Sequence, residues 1–481
     1  MGLNKNHVNF NEIKKDFFLR LDFDYFDIKK KLNIDNYIKL RKYLTFLETG
    51  KPISQNDYVD ISDNIHIVVR NIADGKFNNE NLIYINDDKG IELQQYRLKK
   101  GDIVIAISSN CGNSFYYNWN DKRNLTLSHY LARFRINYNY INPVYLNYYI
   151  NSSIIKKYFR SVETGKTLKN LSKYYIKTLP LLIPDLNNQN KIVSYIEPIE
   201  EKITKLKSII IPQYKIINEI LSKELDLNDD LYNEFGKGMT AGTQNSKEKT
   251  LRKFNVNFRE FSKSNILRFS TRYHNLPTKK LMNILLNMNT LQVKDILTED
   301  IHRGTNPDYD NDGEIPVIKT GHLKNEYIEI STEEFVNESF YSNTKRSVVK
   351  ENDILLTSTG KISLGKIDLL ETDDKLVADG HISIIRIDEK KYNRKFFVCF
   401  FRYVLGYFQV ERDYTGSTNQ IDLYKDEISQ FLIPDISLKK QEIIVKKIDD
   451  LLSEQNKIKK QIEKEIKKID DIIMNSLVKK H

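Results

Sequence analysis

The pentapeptide LLIPD at residues 181–185 returns as FLIPD at 431–435, and each copy leads into a long run rich in isoleucine, lysine and glutamate. The period holds well beyond this motif. Val8-Asn9-Phe10-Asn11-Glu12 matches Val256-Asn257-Phe258-Arg259-Glu260 at a spacing of 248, which also carries Leu19-Arg20 onto Leu267-Arg268 and Tyr25 onto Tyr273. At 251, Asp102-Ile103 falls on Asp353-Ile354, Arg135-Ile136 on Arg386-Ile387 and Gly165 on Gly416; at 252, Gln189, Ile192 and Val193 fall on Gln441, Ile444 and Val445. Such drift is what loop insertions leave after a domain is duplicated. Solenoid units, at about 20–50 residues, are far shorter. The chain therefore reads as two copies of one unit, 1–225 and 250–481, joined by a polar, glycine-containing linker at 226–249.

Each copy has two parts. Apolar runs such as IHIVVRNIADGKF and GDIVIAIS, broken by Gly, Asn and Asp, predict strands. Stretches such as NPVYLNYYINSSIIKKYFRSV predict helices between them, so the first part is α+β. The second part is helical. Apolar positions step by four and three through Ile192, Ile196, Ile199, Ile203, Leu206, Ile210, Gln213, Ile217 and Ile220. In the second copy they run Ile444, Ile448, Leu451, Gln455, Ile458 and Ile462, then Ile466, Ile469 and Ile473 after a one-residue shift. This is a coiled-coil seam, predicting rods on the order of 50 Å. Pro198 and Pro212 each remove a backbone donor and predict a kink or a break in the first rod. One amphipathic rod cannot bury its own stripe, so the two are expected to pack on each other, with the seam glutamines helping to set register.

A formal net charge of +10 favours a polyanionic partner. No run approaches the ~18 apolar residues of a membrane span, the N-terminus has no apolar signal core, and Asn6 stands where a myristoylation motif needs Ser or Thr. Cys111 and Cys399 lack ligand spacing and read as free thiols in a reducing cytoplasm.

Two motifs mislead. Gly360-Lys361-Ile362-Ser363-Leu364-Gly365-Lys366-Ile367 imitates a phosphate-binding loop, but Ile367 replaces the magnesium-binding hydroxyl and no helix start follows. Asn142-Pro143-Val144-Tyr145 imitates the base-gripping loop of adenine methyltransferases, without its second proline and without a cofactor loop upstream; it reads better as a helix start with an Asn cap. The eight histidines show no ligand spacing.

The order globular unit, Ile-Pro-Asp, Gln-x-x-Ile-Val helix, repeated in tandem, resembles the specificity subunit of Type I restriction-modification systems. The matching residues are Arg20 and Tyr25 with Arg268 and Tyr273, Gly165-Lys166-Thr167 with Gly416-Ser417-Thr418, and the helix starts at Gln189 and Gln441. Asn188 and Lys440 stand where that family usually has Glu. The resemblance implies target-recognition domains at 1–180 and 250–430 and helical spacers at 181–225 and 431–481. The spacers would form an antiparallel coiled coil with pseudo-twofold symmetry that fixes the gap between two half-sites. It implies no active site and no cofactor on this chain: S-adenosylmethionine would sit on two partner methyltransferase subunits, with restriction subunits as further partners and double-stranded DNA as the ligand, read as an asymmetric bipartite target. Candidate readers are polar groups at aligned loop positions. In the first copy these are Lys51, Gln55, Asn56, Arg70, Asn71, Ser109, Asn110, Lys166 and Thr167. In the second they are Arg303, Thr305, Asn306, Lys319, Thr320, His322, Thr359, Lys361, Ser417, Thr418, Asn419 and Gln420. Arg and Lys suit guanine edges or phosphates, and Asn and Gln can pair with adenine. A coiled-coil scaffold, a stand-alone DNA-binding protein and a self-contained methyltransferase are the competing readings. The last would need a cofactor loop that the sequence lacks.

Overall fold

A computed structural model describes residues 37–119, 121–165, 168–227, 231, 256–257, 270–417 and 420–478. The unit-start motifs at Val8–Glu12, Arg20, Tyr25 and Arg268, and nearly all of the linker, lie outside them.

Packing divides the chain into two units, one ending at Ile209 but including Lys460 onward, the other Ile210–Lys459. In unit 1 the strands Leu44–Thr49, Leu131–Ile136, Asp102–Ala106 and Ser114–Tyr117 pair antiparallel in that order. A second sheet runs Asn124–Leu127, Asn64–Ile67, Ile83–Ile85, Tyr58–Val59, with its first pair parallel. Unit 2 repeats the plan: His302–Arg303, Ile382–Ile385, Ile354–Thr357 and Ile367–Leu369 form one sheet, and Ile315–Ile318 lies parallel to Leu376–Ala378 in the other. The copies differ at an edge. Unit 1 adds Tyr58–Val59 beside Ile83–Ile85, whereas unit 2 adds Val348–Val349 beside Leu376–Ala378.

After Asp102 the run Ile103-Val104-Ile105-Ala106 is apolar throughout because its strand is covered on both faces. Ile103 and Ile105 face a core with Phe134, Tyr145, Tyr149 and Phe159, while Val104 and Ala106 share a core with Phe115 of the neighbouring strand and with Ile65, Ile67 and Leu127 from the second sheet. At its start the buried Asp102 accepts from Arg135 Nε (2.6 Å) and Lys99 N (2.9 Å); in unit 2 Asp353 accepts from Arg386 Nε (2.8 Å) and Lys350 N (2.9 Å). The two residue pairs that mark the repeat in sequence are thus partners in one ion pair.

Helix α1 (Pro143–Asn151) starts as expected, the Asn142 side chain accepting from Val144 N and Tyr145 N. Helix α2 (Ser153–Val162) follows. The long helices are α3 (Leu186–Ser208) and α4 (Gln213–Glu224) in the first copy. In the second copy α5 (Arg394–Arg402) and α6 (Val404–Asp413) precede α7 (Leu438–Val478), a single run of 41 residues, or about 60 Å. Pro198 lies within α3 without ending it, and Pro212 marks the break before α4.

Where each long helix leaves its globular part, a fully buried glutamine makes the joint. Gln189 Oε1 accepts from Asn142 N (2.9 Å) and its amide donates to Pro184 O (2.8 Å). Gln441 Oε1 accepts from Asn393 N (2.8 Å) and its amide donates to Ile436 O (2.8 Å). The helices run antiparallel within each unit. In unit 1, Ile196 shares a core with Ile473, and Lys202 pairs with Glu465 (2.7 Å). In unit 2, Ile211 N donates to Gln455 Oε1 (2.8 Å), and Glu224 pairs with Lys447 (2.5 Å). The linear domain boundaries therefore differ from the packed ones, because each unit includes the far end of the other copy's helix. Leu451 and Ile466 fall outside the seam and are exposed; Leu452 and the ion-paired Glu465 replace them, since a straight helix of 3.6 residues per turn drifts off a 3.5 repeat.

Two outcomes are expected. Gln441→Leu leaves the Asn393 N–H and the Ile436 carbonyl without their partner, at about 1–3 kcal/mol for each buried group unpaired, read as a lowered denaturation midpoint with unchanged m. His66, whose Nδ1 contacts Thr126 Oγ1 (3.1 Å), is pushed down by burial to about 4, with the charges of His129 and Lys89 adding to the effect. Above pH 6.5 it is neutral whether folded or unfolded. Between pH 6.5 and about 4 the unfolded chain binds a proton that the folded one refuses. Wild type should therefore lose up to about 3 kcal/mol relative to His66→Gln across that window, measured by denaturation at several pH values.

Candidate nucleic-acid interface

In unit 1 the loops meet at one end of both sheets. Gly50 N donates to Leu131 O (3.0 Å), Lys51 N to Leu127 O (2.9 Å), Ile107 N to Tyr130 O (2.9 Å) and Ser128 N to Ile67 O (2.9 Å). Ser109 N donates to Lys169 O (2.9 Å), which brings in the hairpin that turns at Gly165. A Cβ at Gly50 would collide with the Leu127 and Ser128 carbonyls, so only glycine allows this approach.

Unit 2 builds the same end. Gly304 N donates to Ile382 O (3.2 Å), Asp379 N to Ile318 O (3.0 Å), Ser358 N to His381 O (2.9 Å) and Gly360 N to Ile421 O (3.2 Å). Gly304 meets the Ala378 and Asp379 carbonyls as Gly50 meets Leu127 and Ser128. This equivalence corrects the alignment of the first loop: Lys51 corresponds to Thr305, and Arg303 corresponds to Thr49.

Several candidate readers are already engaged by their own loops. Asn71 is fully buried, accepting from Val68 N (3.1 Å) and donating to Glu80 O (3.0 Å), so a groove cannot reach it. His322 does the same work, its Nδ1 accepting from Lys319 N (3.1 Å). Arg70 is exposed but donates twice to Asn81 O (3.1 and 3.0 Å). Arg303 pairs with Asp422 (3.1 Å) and donates to Leu423 O (2.8 Å), tying the hairpin Thr415–Asp422 to the sheet. Thr305 bonds Ser347 Oγ (2.8 Å). Lys319 pairs with Glu334 (2.7 Å) over the Tyr309 ring. Thr320 is half-buried, and Thr359 bonds His381 Nδ1 (2.8 Å).

Others stand exposed: Lys51 (above the Tyr96 ring), Gln55, Asn56, Ser109, Asn110, Asn306, Lys361 and Gln420. Lys166, Thr167, Thr418 and Asn419 lie outside the described residues. Ser417 contributes backbone to the hairpin, paired with Gln420.

Sequence reasoning passed over the exposed pair His129–Tyr130, with rings 3.9 Å apart, its counterpart region at His381, and Arg346, which is exposed and donates to Arg303 O (2.8 Å). A strand–turn–strand alignment of the two copies would have found the histidines; nothing local marks Arg346. Beneath the Ser109 loop Lys156 donates to Asn113 Oδ1 (2.5 Å), and burial pushes its ammonium down to about 7. Beneath the unit 2 end burial raises Asp379, which accepts from His381 N (2.9 Å). Among the described residues no group of His, Cys, Asp and Glu could hold a metal ion, and no helix is long and apolar enough to cross a membrane.

Arg303→Ala should act as a structural change. It removes the tie to the hairpin and should lower stability by about 1–3 kcal/mol, whereas Lys361→Ala should leave the unfolding midpoint within about 0.5 kcal/mol of wild type; both are read by thermal and chemical denaturation.

The family model for the Type I restriction modification DNA specificity domain matches twice, at residues 46–213 and 286–468. The chain is 24% identical over 422 residues to a protein of Methanocaldococcus jannaschii described as the type I restriction enzyme MjaX specificity subunit, covering 85% of this chain and 86% of that one. Among solved structures it is similar to the Type-I restriction-modification system S subunit from M. genitalium (15% identity, 92% of this chain and 96% of that one, TM-score 0.38). It is likewise similar to the HsdS subunit from Thermoanaerobacter tengcongensis (12% identity, 92% and 96%, TM-score 0.30).

Proposed function

We infer the working role of this chain from one premise: it belongs to the Type I restriction modification DNA specificity family, and is a specificity subunit with two tandem DNA-recognition domains. The double match of the family model carries the conclusion. It accords with a fold in which each unit gathers its loops at one end of paired sheets. Each recognition domain reads one half of a bipartite duplex target. Because the exposed groups differ between the units, Lys51, Gln55, Asn56, Ser109 and Asn110 against Asn306, Lys361 and Gln420, the half-sites differ and the target is asymmetric.

The chain itself recognises and does no chemistry. Two methyltransferase subunits supply S-adenosylmethionine and adenine methylation, and restriction subunits join the same assembly in the cytoplasm. The helices offer them apolar side chains exposed to solvent, Tyr195 and Ile466 in unit 1, Ile443 and Leu451 in unit 2.

Adenine methylation mapped across the host genome should lose one bipartite, asymmetric motif when the gene is deleted. A map unchanged in cells that express the partner genes would reject the role. The purified complex should also lose at least about 100-fold in DNA affinity between 50 and 200 mM salt, measured by titration with a fluorescent duplex; a flat salt response favours a scaffold.

A further inference from the structure

The loop between Thr357 and Ile367, which imitates a phosphate-binding motif, has a use at the recognition end of unit 2. Gly360, at φ 84°, donates to Ile421 O (3.2 Å) and accepts from Ser363 N (3.0 Å) and Leu364 N (2.8 Å). Thr357 Oγ1 accepts from Lys366 N (2.9 Å) and donates to Ser363 O. Gly365 donates to Thr357 O (2.9 Å) and packs against Tyr407, and Leu364 is buried as an anchor. The tip is thereby held, and the side chain it presents is Ile362, 81% exposed.

A single exposed isoleucine ordinarily needs no explanation. This one is set apart by its surroundings. The groups around it are polar or cationic: Lys361 is the preceding residue, Thr359 is bonded to His381, and Gln420 lies on the hairpin that Gly360 and Thr359 join. Ile61 in unit 1 is as exposed, at 84%, but sits between Asp60 and Asp63, ahead of Asn64 and so at the far end of its strand from the gathered loops. The loop of unit 1 that corresponds to the Ile362 loop carries Ser109 and Asn110 at its tip.

A β-branched side chain on a fixed loop loses little rotamer freedom on binding. The apolar group that a major groove displays at a base edge is the C5-methyl of thymine. We propose that Ile362 reads a thymine methyl group in the half-site bound by unit 2, with Lys361 on a neighbouring phosphate. The assignment rests on the DNA-recognition role above and adds the chemistry of one base.

The test uses the full complex with its methyltransferase subunits and a duplex carrying the mapped target, with thymines replaced one at a time by deoxyuridine, which lacks only the methyl group. With wild type, one replacement in the unit 2 half-site should raise Kd about three- to tenfold, and replacements in the other half-site should not depend on Ile362. Ile362→Ala should weaken the thymine duplex by a similar factor and abolish the difference between thymine and deoxyuridine, while Ile362→Val keeps part of it. Lys361→Ala should lower the salt slope by about one. Thermal unfolding of each variant should match wild type, which separates readout from folding.

The assignment falls if no deoxyuridine replacement in that half-site matters, if the half-site contains no thymine, or if Ile362→Ala retains the full thymine preference. A loss of DNA bending in Ile362→Ala without deoxyuridine sensitivity would make Ile362 a wedge between base steps, and would also overturn it. In each of these cases sequence-specific binding persists; its complete absence would instead overturn the recognition role itself.

Discussion

Each long helix leaves its recognition domain through one buried amide. Gln189 and Gln441 reach back to the N-terminus of a helix in the globular part, accepting from Asn142 N and Asn393 N, and donate to the carbonyls of Pro184 and Ile436 just ahead of their own helix. A side chain with both a donor and an acceptor is needed here, because either group left bare in a dry site costs more than an apolar replacement recovers. The Ile-Pro-Asp approach supports it. Pro180, a few residues ahead of the motif in the first copy, pairs with Lys39, and Pro434 of the motif itself in the second pairs with Thr290; the Pro180 and Pro434 carbonyls accept from Tyr149 and Tyr392. Helix direction is therefore set by the same core that carries the gathered loops.

That core rests on a strand buried on both faces. Asp102 and Asp353 open it, and each is held by an arginine from the neighbouring strand and by a backbone N–H three residues upstream. A buried carboxylate so supplied stays compatible with an apolar interior. The sheet end that follows can then be given over to loops whose sequences differ between the copies.

The duplication, the α+β character, the helical seams and the Asn142 cap were all legible in sequence, because each depends on local spacing. The proposed reading surface was legible only in part. Loop positions follow from strand ends, which can be inferred, but a loop polar group says nothing of its partner. Asn71 and Arg303 looked like an adenine reader and a guanine reader. One closes a turn onto Val68 and the other ties a hairpin through Asp422, both relations set by the fold rather than by neighbours in sequence. Ile362 was missed for the opposite reason. It lay inside a false nucleotide motif that was set aside on Ile367, so it was not weighed by itself, and its exposure follows from turns at Gly360 and Gly365 that a strand-and-loop reading does not resolve.

The exchanged helix ends follow from the antiparallel seam. The core of unit 1 includes Ile473, and Tyr145 and the Ser153 N–H bond Ser476 and Asp470. The core of unit 2 includes Ile217 and Leu221, with Ser222 bonded to Tyr403. Neither copy can complete its own core: the apolar stripe of α3 is covered by residues from the C-terminal end of the chain, and that of the first half of α7 by α4. Burial of the α3 stripe against α7 must therefore await the synthesis of α7, a contact across some three hundred positions, and loop closure over that distance adds only slowly to the entropic cost. The duplicated chain thus couples two recognition domains of different sequence through shared helices, leaving their loops free to diverge while the joint stays the same.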